Sequence, residues 1–245
     1  MKKTIAILAV AALVAPAALG DWDPGDGYKM ANDPQLPDPN GWDIHAEGFF
    51  MADDWLCSET GPVSDIHFWY SKHGDVGDLY GGTIQIFSDD PDPDGEGPEF
   101  SHPKLPVWTD WFGPGSLDFS TRLYGVGDQG WYDLVSGTYE ENDHTEIWQC
   151  NIVDIPDPFI QQEGTVYWLG IHLEAVDEAD ELGWKTSLNH WNDDAARWHY
   201  NEWLELRDPI TDESLDMAFV ITPEPTTMGV LALSGLAVLR RRRRL

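Results

Sequence analysis

Between residues 42 and 221 no long stretch places apolar side chains at helical spacing. Short alternating segments cut by Gly and Pro turns run throughout, and that pattern leaves β-sheet as the building material. The strongest segment is 165–173, nine residues rich in β-branched, aromatic and aliphatic side chains. Segment 63–70 alternates, with Ile66, Phe68 and Tyr70 on one face and Asp65, His67 and Trp69 on the other. Further strands are expected at 45–55, 83–87, 105–112, 117–126, 131–135, 146–153 and 215–221. The expected fold class is all-β, an antiparallel two-sheet β-sandwich, with the jelly roll as its specific form. Residues 21–41 are rich in Asp, Pro and Gly and read as an irregular arm or linker, so the single sandwich domain is expected to span 42–221.

The two ends are of different character. Lys2 and Lys3 precede an apolar stretch from Ile5 to Val14, and Ala18-Leu19-Gly20 offers a small-x-small cleavage site. Residues 1–20 therefore read as a cleavable signal peptide with a helical apolar core, handled by Sec-type export machinery and signal peptidase. At the other end, residues 222–245 carry Pro223-Glu224-Pro225, a 12-residue apolar run from Met228 to Leu239, and Arg240, Arg241, Arg242, Arg243 and Arg244. The two prolines hold the segment extended. The apolar run is expected to form a helix with the arginines on the cytoplasmic side. It is shorter than the roughly 20 residues a bilayer span needs, so contact with the inner membrane is expected to be transient.

This three-part tail resembles the PEP-CTERM sorting signal of Gram-negative, exopolysaccharide-producing bacteria. The resemblance implies recognition by an exosortase, a membrane cysteine transpeptidase, with removal of the apolar tail and delivery to the cell envelope, outer surface or extracellular matrix. The plain alternative for the same residues is a C-terminal anchor or a basic tail.

With both ends set aside, 7 basic and 43 acidic residues remain, a net charge of −36. Such a surface repels nucleic acid and anionic lipid and favours solubility and cation binding. Cys57 and Cys150, the only cysteines, both lie in the exported part. In an oxidising compartment they are expected to form one disulfide closing a loop of about 94 residues, the alternative being two buried thiols. Asp90, Asp92 and Asp94 followed by Gly95 have the alternating-carboxylate spacing of a calcium loop, against the plainer reading of a solvated acidic hairpin. Calcium is the one cation candidate, and no other cofactor is expected. Trp184, Trp191 and Trp198 recur every seven residues in a segment rich in Asn and Asp. As exposed platforms on a loop they would stack on sugar faces; the alternative is a tryptophan-rich corner of the core. None of the common hydrolase, metalloprotease or nucleotide-binding motifs is present, so no catalytic residue is nominated.

The phrases Ala52-Asp53-Asp54-Trp55-Leu56-Cys57, Gly183-Trp184-Lys185-Thr186-Ser187 and His190-Trp191-Asn192-Asp193-Asp194-Ala195 resemble an uncharacterised secreted all-β domain family, over about 41–221. Its members often carry sorting tails or dockerin modules, and no activity comes with the likeness. The functional expectation is an exosortase-sorted envelope or biofilm-matrix protein, non-catalytic and binding exopolysaccharide. The second reading is an extracellular polysaccharide-active enzyme of the glycoside hydrolase or lyase type.

Overall fold

The computed structural model describes residues 20–48, 50–91 and 100–222. The signal peptide before Gly20, the sorting motif from Pro223 through Arg244, and Asp92 and Asp94 lie outside the described residues. The fold is all-β. In chain order the strands are β1 (Trp42–His45), β2 (Met51–Leu56), β3 (Gly61–Pro62), β4 (Asp65–Lys72), β5 (Leu79–Asp90), β6 (His102–Phe112) and β7 (Phe119–Asp133). They continue with β8 (Thr138–Ile152), β9 (Ile160–Gln161), β10 (Val166–Ala175), β11 (Leu182–Lys185), β12 (Ala196–His199), β13 (Glu202–Glu205) and β14 (Phe219–Thr222). One six-stranded sheet has the order β11-β1-β7-β8-β4-β14, the other β13-β12-β2-β10-β5-β6, and β3 and β9 form a small ribbon. Among the described residues no helix is long and apolar enough to cross a membrane.

The first sheet curls on itself. Strand β11 pairs with β1 and, at its other edge, with β4, which joins the two ends of a β11-β1-β7-β8-β4 ring. One pairing in it, β1 with β7, is parallel, which departs from the wholly antiparallel expectation. The segments expected at 117–126 and 131–135 are one strand, β7, which runs through three register shifts around Gly125, Gly127 and Gly130. Bulges bend and twist a strand, and here they allow the long β7–β8 hairpin to wrap. At Gly127 and Gly130 a Cβ would collide with the Pro39 backbone and the Trp42 ring respectively, so only glycine lets the arm and β1 lie this close.

The alternation read in β4 is present, with Ile66, Phe68 and Tyr70 in the shared core between the sheets. Its polar face is buried as well. Ser71 donates to Gln129 on β7 at 3.0 Å, and Asp43 on β1 meets His144 on β8 at 2.9 Å, although neither strand pair is hydrogen-bonded directly. Only strong curvature brings such strands together, so the concave side of the ring has a polar filling.

Residues 21–41 are irregular but packed. Trp22 is buried edge-on against Trp69, and its carbonyl accepts from Gln149 and Arg122. The Lys29 backbone N–H donates to the Ile221 carbonyl, and Gln35 is fully enclosed. The arm is therefore part of the folded unit. The cysteines also depart from expectation. Both are free and buried, so the expected disulfide does not form. Cys57 follows β2 in the second sheet and its thiol donates to the Glu59 carbonyl at 3.1 Å, whereas Cys150 sits near the end of β8 in the first sheet. Burial pushes both thiols above their ordinary pKa, which favours the protonated thiol over the nucleophilic thiolate.

Candidate functional site

The three evenly spaced tryptophans separate completely in space, because the segment forms no helix. Trp184 on β11 is fully buried, its indole N–H donating to the Ala218 carbonyl at 3.0 Å and its ring packing against Phe219. It belongs to the core, which corrects its assignment as a platform. Trp191 is half-buried, and its backbone N–H donates to Asp216 at 2.7 Å. Trp198 on β12 keeps 40 % of its surface exposed.

Trp198 owes its position to a tight hairpin. Tyr200 and Asn201, the two residues between β12 and β13, both have positive φ, the conformation of the two-residue turn that matches strand twist. The turn sets Trp198 directly opposite Trp203, with ring centroids 5.3 Å apart and planes at 60°. Trp203 in turn packs edge-on against Phe87 of β5, at 5.6 Å and 83°. Phe87, Trp168, Ala52 and Ala196 form a second apolar cluster on the outer face of the second sheet, away from the main core. Above it lies a groove of about 210 Å³ lined by Phe50, Gln85, Phe87, Lys104, Trp198 and Trp203. Of these only Trp198 was nominated from sequence. A Trp five residues beyond Trp198, across a Tyr-Asn turn, is the signal that would have found Trp203. Larger clefts exist, one of about 600 Å³ near Leu117 and Asp154, but it lacks this paired-tryptophan lining.

The same outer face ends in carboxylates. Asp54 of β2, fully buried, accepts from the Asn192 side chain at 2.6 Å. Asp89 of β5 accepts from the Trp168 indole at 2.9 Å, and Asp193 accepts from Ser101 at 2.5 Å. Burial, reinforced by Asp216, Asp193 and Asp89, pushes the Asp54 carboxyl up to about 9. On the inner face of β2, Gln35 bridges Asp53 (3.0 Å) and Asp216 (3.4 Å). Burial raises both, Asp53 further through Asp216, and Asp216 to about 6 despite its bond from Trp191.

The folded protein thus holds these protons to higher pH than the unfolded chain, whose aspartates titrate near 3.8. Their stabilising contribution is complete below about pH 4 and is lost as pH rises through 6 for Asp216 and 9 for Asp54. Thermal unfolding between pH 5 and 9 is expected to show a falling Tm. Asp54→Asn keeps an acceptor for Asn192, removes the titration and is expected to raise Tm at pH 9 by a few degrees. An unchanged slope in that variant would mean Asp54 titrates normally.

Of the residues nominated for calcium, Asp90 is buried and its carboxylate is held by Lys104 at 3.1 Å. Among the described residues, His73, Glu140 and Asp143 bring donor atoms within 4.8 Å of one another. His73 there also meets Glu181 at 2.8 Å and sits 3.4 Å from Asp143.

The fold and this face define an all-β protein with a small aromatic groove on the outside of one sheet. Residues 31–222 match the model of a family described as a domain of unknown function, DUF7901, and the chain belongs to that family. No curated protein and no solved structure matches the chain.

Proposed function

We propose that this is an exported, non-catalytic protein of the cell envelope or extracellular matrix that binds glycan through the Trp198–Trp203 groove. The observation that carries the reading is the rigid pairing of a partly exposed indole with Trp203 and Phe87, beside the polar groups of Gln85 and Lys104. Flat apolar rings flanked by a few polar groups suit a pyranose, which offers C–H patches on its faces and hydroxyls at its rim. The fold reading that accompanies it is a two-sheet sandwich of jelly-roll type with one sheet curled. The signal peptide and the exosortase-type tail supply the route, through Sec export and then sorting at the inner membrane. The enzyme reading would need a carboxylate that reaches substrate; fully buried Asp54 does not supply one.

Affinity electrophoresis of the purified protein through gels containing the producing organism's exopolysaccharide tests the binding. Retardation is expected, with Trp198→Ala and Trp203→Ala each weakening it at least tenfold, about 1.4 kcal/mol. Equal retardation of all three proteins would remove the groove from the argument. For the sorting half, a Pro223/Pro225 double substitution is expected to leave the tail uncleaved by intact mass, and normal processing would defeat it.

A further inference from the structure

We infer that the groove selects neutral glycan over anionic glycan, an inference that rests on the glycan-binding reading above. Among the described residues, Lys104 is the only charged one in the groove lining. Its ammonium lies 3.1 Å from an Asp90 carboxylate whose side chain is only 10 % exposed, so the positive charge is matched by a protected partner. Asp89 adjoins Asp90 in the same strand, is anchored by Trp168, and raises and feels the local negative potential together with Asp193. His102, paired with Asp90 across β5 and β6, is the other basic group facing these acids. The groove end nearest Lys104 therefore presents more carboxylate than cation. Around it, residues 21–222 carry a net charge of −36.

A uronate approaching this face meets repulsion over a Debye length of roughly 8 Å at physiological salt, and finds no uncommitted cation in the groove to offset its desolvation. A neutral pyranose meets neither penalty. It gains the same aromatic contact and can exchange hydroxyl hydrogen bonds with Gln85 and the Lys104 ammonium.

The test runs the purified full chain through gels containing galactomannan or a neutral β-glucan, and in parallel through alginate as the polyuronate, at low and high salt. Retardation by at least one neutral polymer, lost in Trp198→Ala, with none by alginate at low salt, is the expected result. Salt-sensitive retardation by alginate that Trp198→Ala abolishes would overturn the neutral selectivity while leaving the groove as a glycan site. No retardation by any of the polymers would overturn the glycan-binding reading and this inference with it. Asp90→Asn frees Lys104 and is expected to gain retardation by alginate that disappears in 0.5 M salt; a folded variant that gains none would sink the charge argument. Lys104→Met, which needs no change at a buried position, is expected to keep the exclusion of alginate, and a variant that gains alginate binding would contradict it.

Discussion

Asp43→Ala is expected to destabilise the protein by about 3–5 kcal/mol, the cost of leaving a buried charge without its partner. Asp43, Lys185 and His144 are all buried inside the curled sheet. One carboxylate oxygen of Asp43 accepts from the Lys185 ammonium at 2.8 Å and meets His144 at 2.9 Å. Burial alone would lower the His144 pKa, but its bonds to Asp43 and Asp143 outweigh that and raise it, so the imidazole also leans towards its charged form. Burial lowers Lys185 from its ordinary value despite Asp43. Without Asp43 the ammonium keeps only the Gly41 carbonyl, at 3.0 Å, and can escape the cost only by giving up its proton. The double variant Asp43→Leu/Lys185→Met removes both charges and is expected to recover most of the loss. Urea midpoints at pH 7 measure both. A loss below about 1 kcal/mol in the single variant would mean that water reaches the ring interior.

Trp184→Ala is expected to cost a similar amount, about 3–5 kcal/mol, because removing a fully buried indole leaves a cavity and takes one of two donors from the Ala218 carbonyl, which keeps the Trp69 backbone N–H. Trp198→Ala, at a position 40 % exposed and held by one aromatic neighbour, is expected to cost about 1 kcal/mol or less. The contrast matters for any binding experiment. Loss of glycan binding in Trp184→Ala reports unfolding, whereas loss in Trp198→Ala with an unchanged Tm reports the groove. If Trp198→Ala lowered Tm as much as Trp184→Ala, both indoles would be structural and the candidate site would lose its central residue.

Much of the second sheet was legible in the sequence. The strand expected at 165–173 appears as β10, Val166–Ala175, and that expected at 105–112 lies within β6, His102–Phe112. The start of β8 was not legible. Residues 138–145 include Glu140, Glu141, Asn142 and Asp143, which disfavour strand on their own; Thr138, Tyr139, Glu140 and His144 pair with β7, while 141–143 bulge out of register with Asn142 at positive φ. At the site, the residue types were readable and their company was not. Trp184 and Trp198 look alike in sequence, yet one is enclosed between the sheets and the other lies at an edge hairpin, because β11 and β12 belong to different sheets.

The sequence by itself determined which residues alternate, where turns interrupt them, and where the charged and apolar runs at the two ends lie. These are local properties, set by the period of the pleat, by the φ preferences of Gly, Pro and Asn, and by runs of charge and apolar residues. Only the tertiary structure decided that the polar face of β4 is buried, that Cys57 and Cys150 stay apart, and that Trp203, Phe87 and Lys104 join Trp198. Each depends on which distant strands become neighbours, as when Asp43 meets His144 from 101 residues away, and curvature and closure of a sheet are sums over such long-range contacts.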